Sequence, residues 1–113
     1  MSKFDEALAL YTKEMTGKLN LKVDEVLLRK VTKGCGPAIY KTDSSKVSCS
    51  DPDELARVKN NFLIKKLGLD DSPALDAAIK EVCEKMGSSN RNKYRAIFYY
   101  LLVEKFNKAS IYN

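Results

Sequence analysis

The run Ala96 to Val103, AIFYYLLV, is apolar for eight consecutive residues and constrains the fold more than any other stretch. A helix that is apolar on every side has to be enclosed by other elements. Crossing a bilayer takes about 20 apolar residues in a row, so this run is not a membrane span. By residue type alone it also fits a buried strand. Its charged, helix-forming flanks and the absence of Gly and Pro from Ser88 to Asn113 decide for a helix over Arg91 to Phe106, capped by Ser88 or Ser89.

The rest of the chain reads as the jacket of that helix. Ser2 caps a first helix, with Asp5 completing a capping box, and Phe4, Ala7, Leu8, Tyr11 and Met15 form its apolar stripe until Gly17 ends it. Asp24 caps a second helix, to about Lys33, with Val23, Val26, Leu27 and Val31 on one side and Gly34 as its left-handed stop. Asp51, Pro52 and Glu54 open a third helix that runs to Leu67, burying Leu55, Val58, Phe62 and Leu63. Lys65 and Lys66 fall in its last turn, where positive charge complements the helix dipole. Ser72 and Pro73 open a fourth, in which Leu75, Ala78, Ile79, Val82, Cys83 and Met86 recur at helical spacing and mark Cys83 as inert packing. Between Gly34 and Ser50 no period is visible apart from one helical turn at PAIY, and loops of that length often carry function. Ile39 and Tyr40 are the residues that would pin this loop to the core. The expected fold is all-α: a single domain over residues 1–113, a bundle of about five helices around a buried C-terminal helix, with one long loop after the second.

Composition excludes several function classes. The chain has no histidine, which removes the commonest general base and metal ligand. Three cysteines at wide spacing, Cys35, Cys49 and Cys83, offer no zinc set and read as free thiols of a reducing cytosol. Neither a metal nor a cofactor is expected. Asp5 and Glu6 interrupt the apolar core that a secretory signal needs, so a cytoplasmic location is expected. Twenty Lys and Arg against fifteen Asp and Glu leave +5, a mild excess spread along the chain. The third and fourth helices superficially resemble a helix-turn-helix, but Asp71, Asp76, Glu81 and Glu84 outnumber Lys80 and Lys85 on the would-be recognition helix. Such a helix is repelled by a groove lined with phosphates, so nucleic-acid binding ranks low.

Two stretches carry candidate chemistry. In KGCGPAIY, Gly34 and Gly36 can bring backbone N–H groups to an anion, and Cys35 between them is a candidate reactive thiol. Ile39 stands where a dinucleotide fingerprint needs its third glycine, and no Gly-Lys-Ser/Thr follows for a P-loop. The plainer reading is two glycines that end a helix and turn the chain. In NRNKYR, Arg91, Lys93 and Arg95 fall in the first turns of the last helix, where positive charge opposes the helix dipole. Either a bound phosphate or an internal carboxylate, from Asp70, Asp71 or Asp76, offsets it.

Three segments, KVTKGCGPAIY, VKNNFLIKKLGL and SNRNKYRAIFYYLL, together resemble a family of small bacterial proteins known only as domain of unknown function 2853. The likeness extends from SKFDE to SIYN. What the resemblance implies is a bacterial, cytoplasmic, single-domain protein, and it supplies no activity, cofactor or catalytic residue.

The leading functional expectation is therefore a non-enzymatic interaction module, with self-association through an aromatic surface of the last helix formed by Tyr94, Phe98, Tyr99, Tyr100 and Phe106. The competing reading uses all five rings inside one protomer. From a different class, an anion-binding protein or small enzyme would combine Gly34, Cys35, Gly36 and Tyr40 with Arg91, Lys93 and Arg95. That requires the Gly34–Tyr40 loop to lie beside the start of the last helix.

Overall fold

Five α-helices order the chain in the computed structural model, which describes residues 2–112. Helix α1, Lys3–Lys13, begins where the Ser2 hydroxyl accepts the Asp5 N–H at 3.1 Å. Beyond it the helix widens into a π turn, Glu14–Lys18, with Gly17 inside it, and the chain turns instead at Asn20, whose φ is 52°. Helix α2, Glu25–Cys35, is capped by the Asp24 carboxylate on the Leu27 N–H at 3.1 Å. It runs through Gly34. The left-handed stop is Gly36, at φ 65°, and a 3₁₀ turn, Gly36–Tyr40, follows. In that turn Ile39 is buried, but Tyr40 stands half in solvent and pins nothing.

Helix α3, Pro52–Arg57, is capped by Asp51 and continues as a π-helical segment, Val58–Lys66. Helix α4, Pro73–Met86, begins after an extended Ser72 whose side chain makes no capping bond. Helix α5, Arg95–Lys105, starts later than its sequence suggests, and Tyr94, not Ser88 or Ser89, stands at its cap. The reason is local. Asn90 accepts the Asn92 N–H at 2.9 Å and donates to the Met86 carbonyl at 3.0 Å, so residues 90 to 94 are held as a loop by side-chain bonds that compete with a helix. A final 3₁₀ turn, Ala109–Tyr112, closes the described chain, and no strand occurs among the described residues.

The apolar run lies at the centre, as expected. Ala96, Ile97, Phe98, Tyr100, Leu102 and Val103 are wholly removed from solvent, and α5 packs chiefly against α2 and α4. Helix α4 contributes Leu75, Ala78, Ile79, Val82 and Met86 to the same core. On α2 the buried face is Leu27, Leu28, Val31 and Thr32, whereas Val26 is left 64% exposed. The radius of gyration is 13.1 Å, against about 13 Å for a compact chain of this length.

The cysteines depart from expectation. Cys49 and Cys83 form a disulfide across 34 residues, so they are not free thiols, and Cys83 is a cross-link more than inert packing. The long loop brings residue 49 back against α4, a placement that no spacing in the sequence records. Cys35 alone is a free thiol.

Candidate functional site

The basic cluster that the sequence places in one helical turn is divided by the structure. Arg95, the first residue of α5, turns inward: its guanidinium donates to Ser44 O at 2.7 Å, Lys46 O at 3.3 Å, the Tyr99 hydroxyl at 2.9 Å and Glu54 Oε1 at 2.6 Å. The Glu54–Arg95 pair is largely buried, with side-chain exposures of 12% and 15%. Burial alone would raise the Glu54 carboxyl, but hydrogen bonds from Arg57 and Arg95 outweigh it and hold the group below the usual glutamate range. Arg95 is thus a structural clamp with its donors in use. The internal carboxylate that offsets it is Glu54, whereas Asp71 and Asp76 pair with Lys59.

That clamp fixes the far half of the long loop. Val47 N–H donates to Lys93 O at 2.8 Å and Arg95 N–H to Ser45 O at 2.7 Å, so residues 45–47 run antiparallel beside residues 93–95 for one bridge. The segment beside the start of α5 is therefore Ser44–Val47, while Gly34 faces the Tyr112 ring at 3.5 Å from its would-be Cβ. The Gly36 N–H is bonded to Lys33 O and caps α2. Neither glycine presents an anion cradle. Burial pushes the Cys35 thiol up to about 11, against the pull of the Arg95 charge, so little thiolate exists at neutral pH. Tyr40 points to solvent.

Arg91 and Lys93 line a groove of about 970 Å³ whose other walls are the loop from Thr42 to Ser50 and the face of α4 that carries Lys80, Cys83 and Glu84. Four cations, Lys46, Lys80, Arg91 and Lys93, border it against two acids, Asp43 and Glu84, and none of the six forms an ion pair among the described residues. Hydroxyls of Thr42, Ser48, Ser50, Ser88 and Ser89 complete the rim. Lys93 is the unusual member. It is 7% exposed, the one Lys, Arg, Asp or Glu that is buried among the described residues, and its ammonium makes one hydrogen bond to the chain, to Asn90 O at 2.6 Å. An ammonium carries three donors, and a buried cation ordinarily has an opposite charge beside it. Lys46 and Lys80 escape a reading of the sequence because no local pattern joins them to residues 91 and 93.

The rings that suggested an adhesive surface are used inside the protomer. Phe98 and Tyr100 are fully buried, Tyr99 stacks on Phe62 with centroids 3.9 Å apart, and Tyr94 lies 5.1 Å from Tyr11. The Tyr100 hydroxyl accepts the Asp24 N–H at 2.8 Å and donates to Glu104, tying α5 to the start of α2. Phe106 is half-buried against the same core.

Fold and groove together define a small all-α domain with a disulfide-walled basic cleft. The chain belongs to the family described as Protein of unknown function (DUF2853), whose model matches residues 10–110. A comparison with curated proteins gives no match. No helix among the described residues is long and apolar enough to cross a membrane, and no cluster of His, Cys, Asp and Glu among them is arranged to hold a metal ion.

Proposed function

We propose that this protein is a non-enzymatic binding module that receives a phosphate group in the groove bordered by Lys46, Lys80, Arg91 and Lys93. The observation that carries the reading is Lys93, a buried side chain whose ammonium has one protein partner, together with three further cations around the same cleft that form no ion pair among the described residues. A dianion seated there supplies the missing acceptors and offsets the mutual repulsion of four like charges. Binding fits better than catalysis, because the chain has no histidine and its free thiol is held protonated. Arg91 and Lys93 line this groove and Lys46 and Lys80 join them, whereas Gly34, Cys35, Gly36, Tyr40 and Arg95 are not among its lining residues.

Inorganic phosphate titrated into ¹⁵N-labelled protein at constant ionic strength tests the reading. Saturable shifts of the Lys46, Arg91 and Lys93 amides, lost in Lys93→Met, are expected. Shifts reproduced by sodium chloride alone, or none, overturn it. A single-stranded oligonucleotide binding far more tightly than phosphate at matched salt would move the reading to nucleic acid.

A further inference from the structure

Two ammoniums meet at Asn90, which lines the basic groove. The Asn90 side chain is itself fixed: Nδ2 donates to Met86 O at 3.0 Å and Oδ1 accepts the Asn92 N–H at 2.9 Å. A donor facing a carbonyl and an acceptor facing an N–H decide which way the amide points. Lys93 Nζ donates to the Asn90 main-chain O at 2.6 Å, and Lys18 Nζ, 72 residues away in sequence, donates to Asn90 Oδ1 at 3.1 Å. Covalent geometry keeps these two oxygens of one asparagine within about 6 Å, so the ammoniums stand within roughly 12 Å of each other.

Lys18 ends the π turn beyond α1, its side chain is exposed, and no ion pair among the described residues uses it. An ammonium has three donors, so the bond to Asn90 positions the head and leaves the others for a ligand. Lys18 thereby joins Lys46, Lys80, Arg91 and Lys93 as a fifth cation, against the acids Asp43 and Glu84. Five positive charges against two negative leave three. One phosphate carries about −1.5 to −2 at neutral pH, which falls short of that excess, and a second phosphoryl group joined to the first makes up the difference. No aromatic residue lines the groove, so there is no platform on which a base would stack, and the phosphoryl groups themselves are what the site can hold.

From this pairing we infer that the groove selects a diphosphate group over a single phosphate, with one phosphoryl on Lys93, the other on Lys18, and Asn90 as the positioning residue between them. The inference rests on the phosphate-binding reading above and adds Lys18, which is not among the lining residues, to the groups that contact the ligand. Lys93 is buried and Lys18 exposed, so the two heads belong to different depths of one site. A ligand that satisfies both needs acceptors at both depths, which two joined phosphoryl groups supply. Binding is noncovalent, and no bond to phosphorus forms or breaks.

The experiment uses the full chain, as the parent and as Lys18→Met and Lys18→Arg, in magnesium-free buffer at constant ionic strength. Each is titrated calorimetrically with inorganic phosphate, inorganic diphosphate and citrate, the last as a control for charge alone, and circular dichroism checks that the exposed substitution leaves the fold intact. Expected in the parent is diphosphate affinity at least about tenfold above that for phosphate, a ratio that falls below about threefold in Lys18→Met through loss of diphosphate affinity and returns in Lys18→Arg. Equal affinity of the parent for the two phosphates, or a ratio untouched by Lys18→Met, overturns the inference and leaves the binding reading standing. Lys18→Met weakening both phosphates equally overturns it too, because the side chain then acts on the loop and not on a second phosphoryl group. Citrate binding as tightly as diphosphate overturns it as well, since charge alone then accounts for the affinity. Failure of the parent to bind either phosphate removes the binding reading and this inference together.

Discussion

Replacing Arg95 with Met removes the guanidinium that joins the long loop, α3 and α5 while keeping most of the stem's volume. The substitution strips Glu54 of a 2.6 Å ion pair in a site where the two side chains are only 12% and 15% exposed, and it leaves Ser44 O and Lys46 O without their donors. Breaking a buried pair by deleting one partner costs about 3–5 kcal/mol, because the remaining charge stays buried. Glu54 keeps its 2.8 Å bond to Arg57, which places the effect at the lower end, about 3 kcal/mol. With an unfolding entropy of about 2.1 cal/mol/K per residue, that corresponds to a fall in Tm of roughly 12 °C for a chain of this length. Urea unfolding followed by circular dichroism is the assay, with an unchanged m-value as the sign that stability alone has moved. Arg91→Gln, at an exposed groove position, is the comparison and should stay within about 0.5 kcal/mol of the parent. A loss below about 1 kcal/mol for Arg95→Met would refute the clamp.

The Glu54 carboxyl also makes stability depend on pH. Because its folded value is depressed, its contribution is present above the unfolded glutamate range and is lost as pH falls through the folded value. Glu54→Gln should therefore destabilise at neutral pH and flatten the acid limb of the stability curve; an acid limb unchanged by the substitution contradicts the pairing. Two neighbouring glycines should respond in opposite directions to alanine. Gly36→Ala, at φ 65°, should cost about 1 kcal/mol or more, and Gly34→Ala, inside α2 with only an ordinary contact to Tyr112, should be neutral or stabilise by up to about 1 kcal/mol, both read by thermal melts. Cys35, with its thiol raised to about 11, should alkylate more slowly at pH 7 than a free model thiol in a mass-spectrometric time course; a faster rate would contradict its burial.

What the sequence discloses and what it conceals follow the range of the interactions concerned. The stripe Leu75, Ala78, Ile79, Val82 and Met86 is written at helical spacing, and every one of these side chains is buried. AIFYYLLV likewise announces the central helix, because only enclosure satisfies eight apolar residues in a row. Where the helix begins is less visible. Arg91, Asn92 and Lys93 are compatible with a helical turn by type, and it is the Asn90 side chain together with the bridge to Ser45–Val47 that holds them out of it. Val26 fits the apolar stripe of α2, yet the helix turns Leu28 inward instead and leaves Val26 in water. The groove and the disulfide are longer-range still. Lys46 and Arg91 border one groove, and Cys49 meets Cys83, only because a loop without periodicity folds back on α4. Within the basic cluster, the start of α5 decides the roles: Arg95, its first residue, turns into the protein and takes Glu54, while Arg91 and Lys93, in the loop before it, line the cleft.

The phosphate site stands or falls on the Lys93 ammonium, which lysine-selective ¹H–¹⁵N NMR of side-chain Nζ groups observes directly. In the free protein a Lys93 signal sheltered from water exchange is expected, and it should move and saturate as inorganic phosphate is added while exposed Lys22 does not respond. A Lys93 signal that stays in place at high phosphate, or that moves no more than Lys22, would contradict it.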